Sequence, residues 1–168
     1  AAAQGGSITV TNSGSIETLG QTASAVVVQS IGGGGGSAGG SGGTSAQLGT
    51  TTATSPMGVN GGDIQLTNNG TLITTQGLGS AGLVVQSIGG GGGRMGSSDS
   101  PSSLGGSNLQ IANSGSVDLV NRSTITTLGN GSAALVAQSL AGGGGIIAIN
   151  AGRSLQLGGS ELGFTNAG

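Results

Sequence analysis

From Gly5 to Gly36 the chain reads GGSITVTNSGSIETLGQTASAVVVQSIGGGGG, and from Gly61 to Gly93 it reads GGDIQLTNNGTLITTQGLGSAGLVVQSIGGGGG. Strings this long do not recur by chance, so the sequence is a repeat. A looser copy follows between Gly105 and Gly145, as NLQIANSGSV and then TITTLGNGSAALVAQSLAGGGG. From Glu161, ELGFTNAG reads as a truncated fourth copy. The repeats fall at about residues 5–60, 61–104, 105–160 and 161–168 of one segment spanning 1–168. An Asn-x-Gly turn marker sits at Asn12, Asn68, Asn113 and Asn166, and a Gln-Ser marker at Gln29, Gln86 and Gln138. On that alignment the third copy carries an insertion at residues 118–124.

Each copy parses into three strands. In the first, Ile8 and Val10 alternate with Thr9 and Thr11; Ile64/Leu66, Leu109/Ile111 and Leu162/Phe164 repeat the pattern. Period-two alternation of β-branched and apolar residues marks a half-buried strand. Asn-x-Gly then turns the chain, since both residues tolerate positive φ. A second strand covers residues 15–19, 71–75 and 124–128, and a third covers 25–31, 82–88 and 134–140. Gly, Ser, Thr, Asn and Val dominate, and no helical stripe is present, so helix is disfavoured;.

One coil of three strands cannot bury its apolar face. Stacking coils about 4.8 Å apart pairs the strand edges and extends one core, which specifies an all-β parallel β-helix, or β-solenoid, with Gly-rich loops between coils. Its partners are then the flanking repeats of its own chain. Equivalent Asn12, Asn68, Asn113 and Asn166 would form one structural ladder, and Gln29, Gln86 and Gln138 another;. The third strand is apolar on both faces: Val26, Val27 and Val28 are consecutive, as are Leu83, Val84 and Val85. Its outer face therefore needs a cover. The Gly-rich segment that follows is the favoured candidate; lateral self-association with another chain is the alternative. Residues 37–62 and 94–107, rich in Ser, Thr and Gly, read as surface loops, and residues 146–157 as an added strand pair;.

Composition excludes several functions. The cations are three, Arg94, Arg122 and Arg153, and the net charge is −2, so no basic patch for nucleic acid exists;. Gly supplies 41 residues without the every-third spacing of collagen;. No apolar run reaches the roughly 20 residues of a transmembrane helix;. With no Cys or His, zinc sites are excluded, and without Lys a P-loop is excluded too;. Gly39-Gly40-Ser41-Gly42-Gly43 matches G-x-S-x-G, but no His or Lys can serve its serine as base;. Asp63 follows Gly61-Gly62 as in calcium-binding repeats, yet Ser7 and Asn108 replace it in the other copies;.

The strings SAVVVQSIGGGGG, AGLVVQSIGGGGG and AALVAQSLAGGGG, each preceded by a TNSG-like turn, resemble repeats of large autotransporter passenger regions of Gram-negative outer-membrane proteins. The resemblance covers most of the chain. It implies a right-handed β-helix, secretion to the bacterial cell surface, and a structural or adhesive role without catalysis, cofactor or metal. The chain then reads as a window on a longer polypeptide. Two other functions stay open. Thr9/Thr11, Thr74/Thr75 and Thr126/Thr127 could build a Thr-rich face that binds ice or glycan. Glu17, Asp63 and Asp118 could serve a polysaccharide-degrading β-helix enzyme;.

Overall fold

The computed structural model describes residues 4–38, 46–49, 58–98, 102–105, 111–150, 155–157 and 164–166. Every regular element among them is a strand. The first coil comprises β1 (Ile8–Asn12), β2 (Ile16–Thr18), β3 (Val26–Ile31), β4 (Gly35–Ala38), β5 (Ala46–Leu48) and β6 (Val59–Asn60). The second comprises β7 (Ile64–Asn68), β8 (Leu72–Thr75), β9 (Leu83–Ile88), β10 (Gly92–Ser98), β11 (Ser102–Leu104) and β12 (Ile111–Asn113). The third comprises β13 (Val117–Asn121), β14 (Thr124–Thr127), β15 (Leu135–Leu140), β16 (Gly144–Asn150), β17 (Leu155–Leu157) and β18 (Phe164–Asn166).

Each strand pairs in parallel with the strand six places on, giving six three-stranded sheets with the second coil in the centre of each. This is a parallel β-solenoid, as the repeat predicts. Its coil holds six strands rather than three. Of the segments that read as loops, residues 37–62 contribute to the fourth strand and carry the fifth and sixth strands of the first coil, and residues 94–107 carry most of the fourth and all of the fifth strand of the second. The Gly blocks therefore lie inside each coil, joining its third strand to its fourth, and not between coils. Ser- and Gly-rich strands have no local apolar alternation to announce them; they are held by pairing with the coil beside them.

The register also corrects the copy boundaries. Ile111–Asn113 does not open a third copy. It closes the second coil, paired with Val59–Asn60 on one side and Phe164–Asn166 on the other. The strand that stacks on Ile64–Asn68 is Val117–Asn121. Residues 118–124 are thus no insertion, since they carry most of β13, the turn after it and the start of β14. Phe164–Asn166, the described part of what read as a truncated fourth copy, is the last strand of the third coil.

Strands one, two and three of each coil close around one core. Ile64, Leu66, Ile73, Leu83, Val85 and Val28 are its buried centre, with Ile8, Val10, Ile16, Val117, Leu119 and Ile125 packed against it. The loop is closed by a serine: Ser30 Oγ donates to Gly6 O (2.7 Å), Ser87 Oγ to Gly62 O (2.8 Å) and Ser139 Oγ to Gly115 O (2.8 Å). Strands four to six form a second lobe, where Met95, Leu104, Val59 and Ala112 are buried. The fourth strand lies over the outer face of the third: Ser37 Oγ reaches Gln29 Oε1 at 3.0 Å, and Arg94 reaches the corner before β9. Val84 and Ile88 are fully buried beneath that cover.

The reversal between third and fourth strands needs glycine on two grounds. Gly92 has φ +127°, and a Cβ there would overlap the carbonyl oxygen of Gly144. Its column mates Gly35 and Gly144 share the same backbone region;.

Burial is set by position in the stack. Ile16, Ile73 and Ile125 share one column, but only the central Ile73 is wholly buried. Ile73→Ala is expected to cost about 2–5 kcal/mol, and Ile16→Ala, on an end coil, distinctly less. Urea unfolding of the two variants checks this; equal costs would contradict a core built by stacking.

Candidate functional site

The polar residues brought together by the register form ladders along the stack. Gln29 Nε2 donates to Gln86 Oε1 at 2.7 Å, and Gln86 Nε2 to Gln138 Oε1 at 2.7 Å. This is the glutamine column expected from the sequence. The asparagines divide into two columns instead of one. Asn12 Nδ2 donates to Asn68 Oδ1 at 2.8 Å and Asn68 Nδ2 to Asn121 Oδ1 at 2.7 Å. Asn113 stands elsewhere: its Nδ2 donates to Asn60 Oδ1 at 3.2 Å, and its backbone is in register with Asn166. Asn113 and Asn166 are therefore corrected to the sixth sheet, and Asn121 takes the place in the first.

Asn60 and Asn121 were missed because local pattern was matched before spacing. Asn60-Gly61-Gly62 is itself an Asn-x-Gly, and Asn60, Asn113 and Asn166 are evenly spaced by 53 residues. The side-chain carbonyls also cap the turns that follow: Gly14 N–H donates to Asn12 Oδ1 at 3.2 Å and Gly70 N–H to Asn68 Oδ1 at 3.4 Å;.

A second set of contacts organises the corner between strands two and three. Thr18, Thr75 and Thr127 hydroxyls donate to the carbonyls of Ala23, Ser80 and Ser132 at 2.6, 2.6 and 3.2 Å. Gly79 and Gly131 adopt φ of 65° and 68°, and Thr22 holds a φ of 55° in the same corner. Left-handed backbone is unusual for a β-branched residue. Arg94 reaches across the outer face of the third sheet to two carbonyls of this corner, donating from Nη1 to Thr22 O (3.2 Å) and from Nη2 to Gly79 O (2.9 Å). Burial pushes the Arg94 guanidinium below its ordinary pKa.

The carboxylates do not converge. Glu17 lies on the second sheet and accepts from Gln76 Nε2 at 2.7 Å; Asp118 lies on the first and accepts from Gln65 Nε2 at 3.3 Å. Asp63, at the corner before β7, accepts from Ser116 N–H at 2.8 Å and Ser116 Oγ at 2.9 Å. Those two hydrogen bonds, the backbone one first, hold its carboxyl below the usual range. Among the described residues no three His, Cys, Asp or Glu side chains gather in a metal-binding group. Nor do the threonines make an unbroken exposed face among the described residues: the one column of three, Thr18, Thr75 and Thr127, turns its hydroxyls to the corner carbonyls. Thr9 is in register with Gln65 and Asp118, Thr74 with Glu17 and Thr126, and Thr75 is fully buried. The G-x-S-x-G match at residues 39–43 lies outside the described residues.

No family model matches the chain, and neither a curated protein nor a solved structure is detectably similar to it.

The ladder has a measurable energetic signature. Gln86→Leu conserves volume but leaves Gln29 Nε2 and Gln138 Oε1 facing an apolar group. Unsatisfied buried polar groups cost about 1–3 kcal/mol each, so a loss of about 2 kcal/mol or more is expected by denaturant titration, against a smaller loss for Gln138→Leu on the end coil. The Asp63 carboxyl contributes stability above its unfolded pKa of about 3.9, and that contribution is lost as pH falls through its lower folded value. The gap in melting temperature between wild type and Asp63→Ala is therefore expected to be present at pH 7 and to close below about pH 3. A gap that persists unchanged in acid would rule out this role for Asp63.

Proposed function

We propose that this chain is a non-catalytic structural segment of a secreted bacterial cell-surface protein, a stiff β-helical stalk or fibre piece with an adhesive role. The single observation behind this reading is the in-register pairing of like residues in six sheets running along one axis. A coil that pairs on both sides transmits load through every strand at once. Coil is held to coil by three amide columns, by the Gly62 and Gly115 N–H groups donating to Ser30 and Ser87 Oγ of the coil before, and by the Arg94 contact to Thr22. Residues with chemistry to offer are scattered singly over the outside and bonded to neighbours there. The resemblance of the QSIGGGGG strings to autotransporter passenger repeats supports the export and surface location.

A load-bearing solenoid yields in discrete steps. Pulled by its ends in a single-molecule force experiment, the chain is expected to unravel in increments that correspond to whole coils. The asparagine columns are spaced by 53 to 56 residues, and at about 3.4 Å per extended residue each coil releases roughly 180–190 Å. A smooth entropic extension without force peaks would refute the stalk reading.

A further inference from the structure

Each coil turns the corner between its second and third strands through left-handed backbone, and only the first coil does so without glycine. Gly79 and Gly131 hold φ of 65° and 68° there, and Thr22 holds 55°. The three are column mates: Thr22 N–H donates to Leu78 O, and Gly79 N–H to Asn130 O, at the same step of the ladder. Thr22 is the one non-glycine residue with positive φ among the described residues. Left-handed backbone crowds a β-branched side chain. Among the described residues the Thr22 hydroxyl makes no hydrogen bond that offsets this. A conformation of that kind persists only where its surroundings enforce it, and such outliers gather at clamps and switches.

The enforcement comes from the fourth strand of the next coil. Arg94 is 6% exposed. Among the described residues both of its hydrogen bonds go to carbonyls of this corner, from Nη1 to Thr22 O (3.2 Å) and from Nη2 to Gly79 O (2.9 Å). Hydrogen bonds from an ionised donor are the stronger ones, and a buried guanidinium with no carboxylate beside it depends on them. The planar fork spans two carbonyls in neighbouring coils, which a lysine ammonium does not reproduce. Extended backbone at Thr22 would turn its carbonyl away, so the bond to Arg94 selects the left-handed state. The column mates of Arg94 are Ser37 in the first coil and Ile146 in the third, and neither is a cation. The third coil has glycine at the left-handed position and no arginine over it. The first coil has threonine there, and the arginine of the second coil reaches back to it.

We infer that Arg94 and Thr22 form a clasp that couples the two lobes of the coil. Seating the fourth strand of the second coil over its third strand holds the first-coil corner in left-handed backbone. Unseating that strand withdraws the guanidinium and frees the corner to relax and open. The clasp concerns the coupling of outer lobe to corner and stands whether or not the chain serves as a stalk.

Amide hydrogen exchange in the 168-residue chain tests this with wild type, Arg94→Met, Thr22→Gly and the double variant. Arg94→Met is expected to speed exchange at Thr22, Ala23 and Ala25 by about tenfold or more, the effect on local opening of losing one hydrogen bond to a charged group. The Gly79 amide, at the same place in the second coil, is expected to stay near its wild-type rate even though Gly79 O also loses Arg94, because glycine keeps left-handed backbone unaided. Thr22→Gly, placed in the Arg94→Met background, is expected to return Ala23 and Ala25 to near wild-type exchange. That rescue separates a clasp from plain loss of packing around Arg94, which a glycine in the first-coil corner would not repair. Corner exchange that is unchanged in Arg94→Met overturns the inference. So does a double variant whose corner exchanges as fast as that of Arg94→Met. Should Arg94→Met fail to fold, the double variant decides: recovery of the wild-type circular dichroism supports the clasp, and continued failure overturns it.

Discussion

The described structure rests on one constraint: among the described residues no strand pairs within its own coil, and each pairs with the equivalent strand of the coil above or below. All six sheets are built that way, from strands six places apart in sequence. Neighbouring strands lie about 4.8 Å apart, and that spacing governs what each column can hold. Branched apolar residues stack inward, as Ile16, Ile73 and Ile125 do. Amides hydrogen-bond to themselves. Where the backbone turns so that a side chain would point along the axis, only glycine fits, as at Gly92 beneath Gly144.

The same constraint explains which parts of the fold were legible in the sequence. The first three strands of each coil surround a core, so they carry apolar residues in a recognisable pattern, and the sequence reading locates them closely in the first two coils and, in the third, the second and third strands but not Val117–Asn121. The glutamine column was legible because Gln-Ser is flanked by the same apolar and glycine residues each time. Of the fourth to sixth strands, the apolar pair read over residues 146–157 is present as Gly144–Asn150 and Leu155–Leu157, and Ile111–Asn113 and Phe164–Asn166 were read as strands but given the wrong place in the coil. The strands of residues 35–60 and 92–104 were not legible, because their Ser- and Gly-rich segments are held by non-local pairing that leaves no local pattern. The asparagines misled for a related reason. Strands one and six both end in Asn before a turn, so Asn12 and Asn113 look alike locally although they belong to different sheets. Treating them as one column forced a spurious insertion over residues 118–124. The interval between coils, 52 to 57 residues in the amide columns, and not the motif, identifies the column.

The glycine block is also more than a flexible joint. Val84 and Ile88 on the outer face of β9 need cover, and they receive it from the strand that follows in the same coil. To lie back over its predecessor the chain must reverse within a few residues while staying in step with the coils on either side. Gly90, Gly91, Gly92 and Gly93 all take positive φ to do so. A side chain at Gly92 or Gly93 would also enter the neighbouring backbone. An apparently disorder-prone tract is thus among the most tightly specified parts of the stack.

The scarcity of charge has the same origin. Stacking places equivalent side chains one strand spacing apart, and two like charges about 4.8 Å apart repel by roughly 1 kcal/mol even in water and several-fold more in partly buried surroundings. A repeat that conserved a charge in its column would accumulate that penalty with every coil. In this chain each described charge stands among neutral column mates: Glu17 beside Thr74, Asp63 between Ser7 and Ser116, Asp118 beside Gln65, Arg122 beside Asn69, and Arg94 between Ser37 and Ile146. Neutral amides and hydroxyls avoid the problem, because each can donate to one neighbour and accept from the other. The uncharged, amide- and glycine-rich composition is therefore a consequence of coil-on-coil stacking, and it extends to any number of coils without growing less favourable.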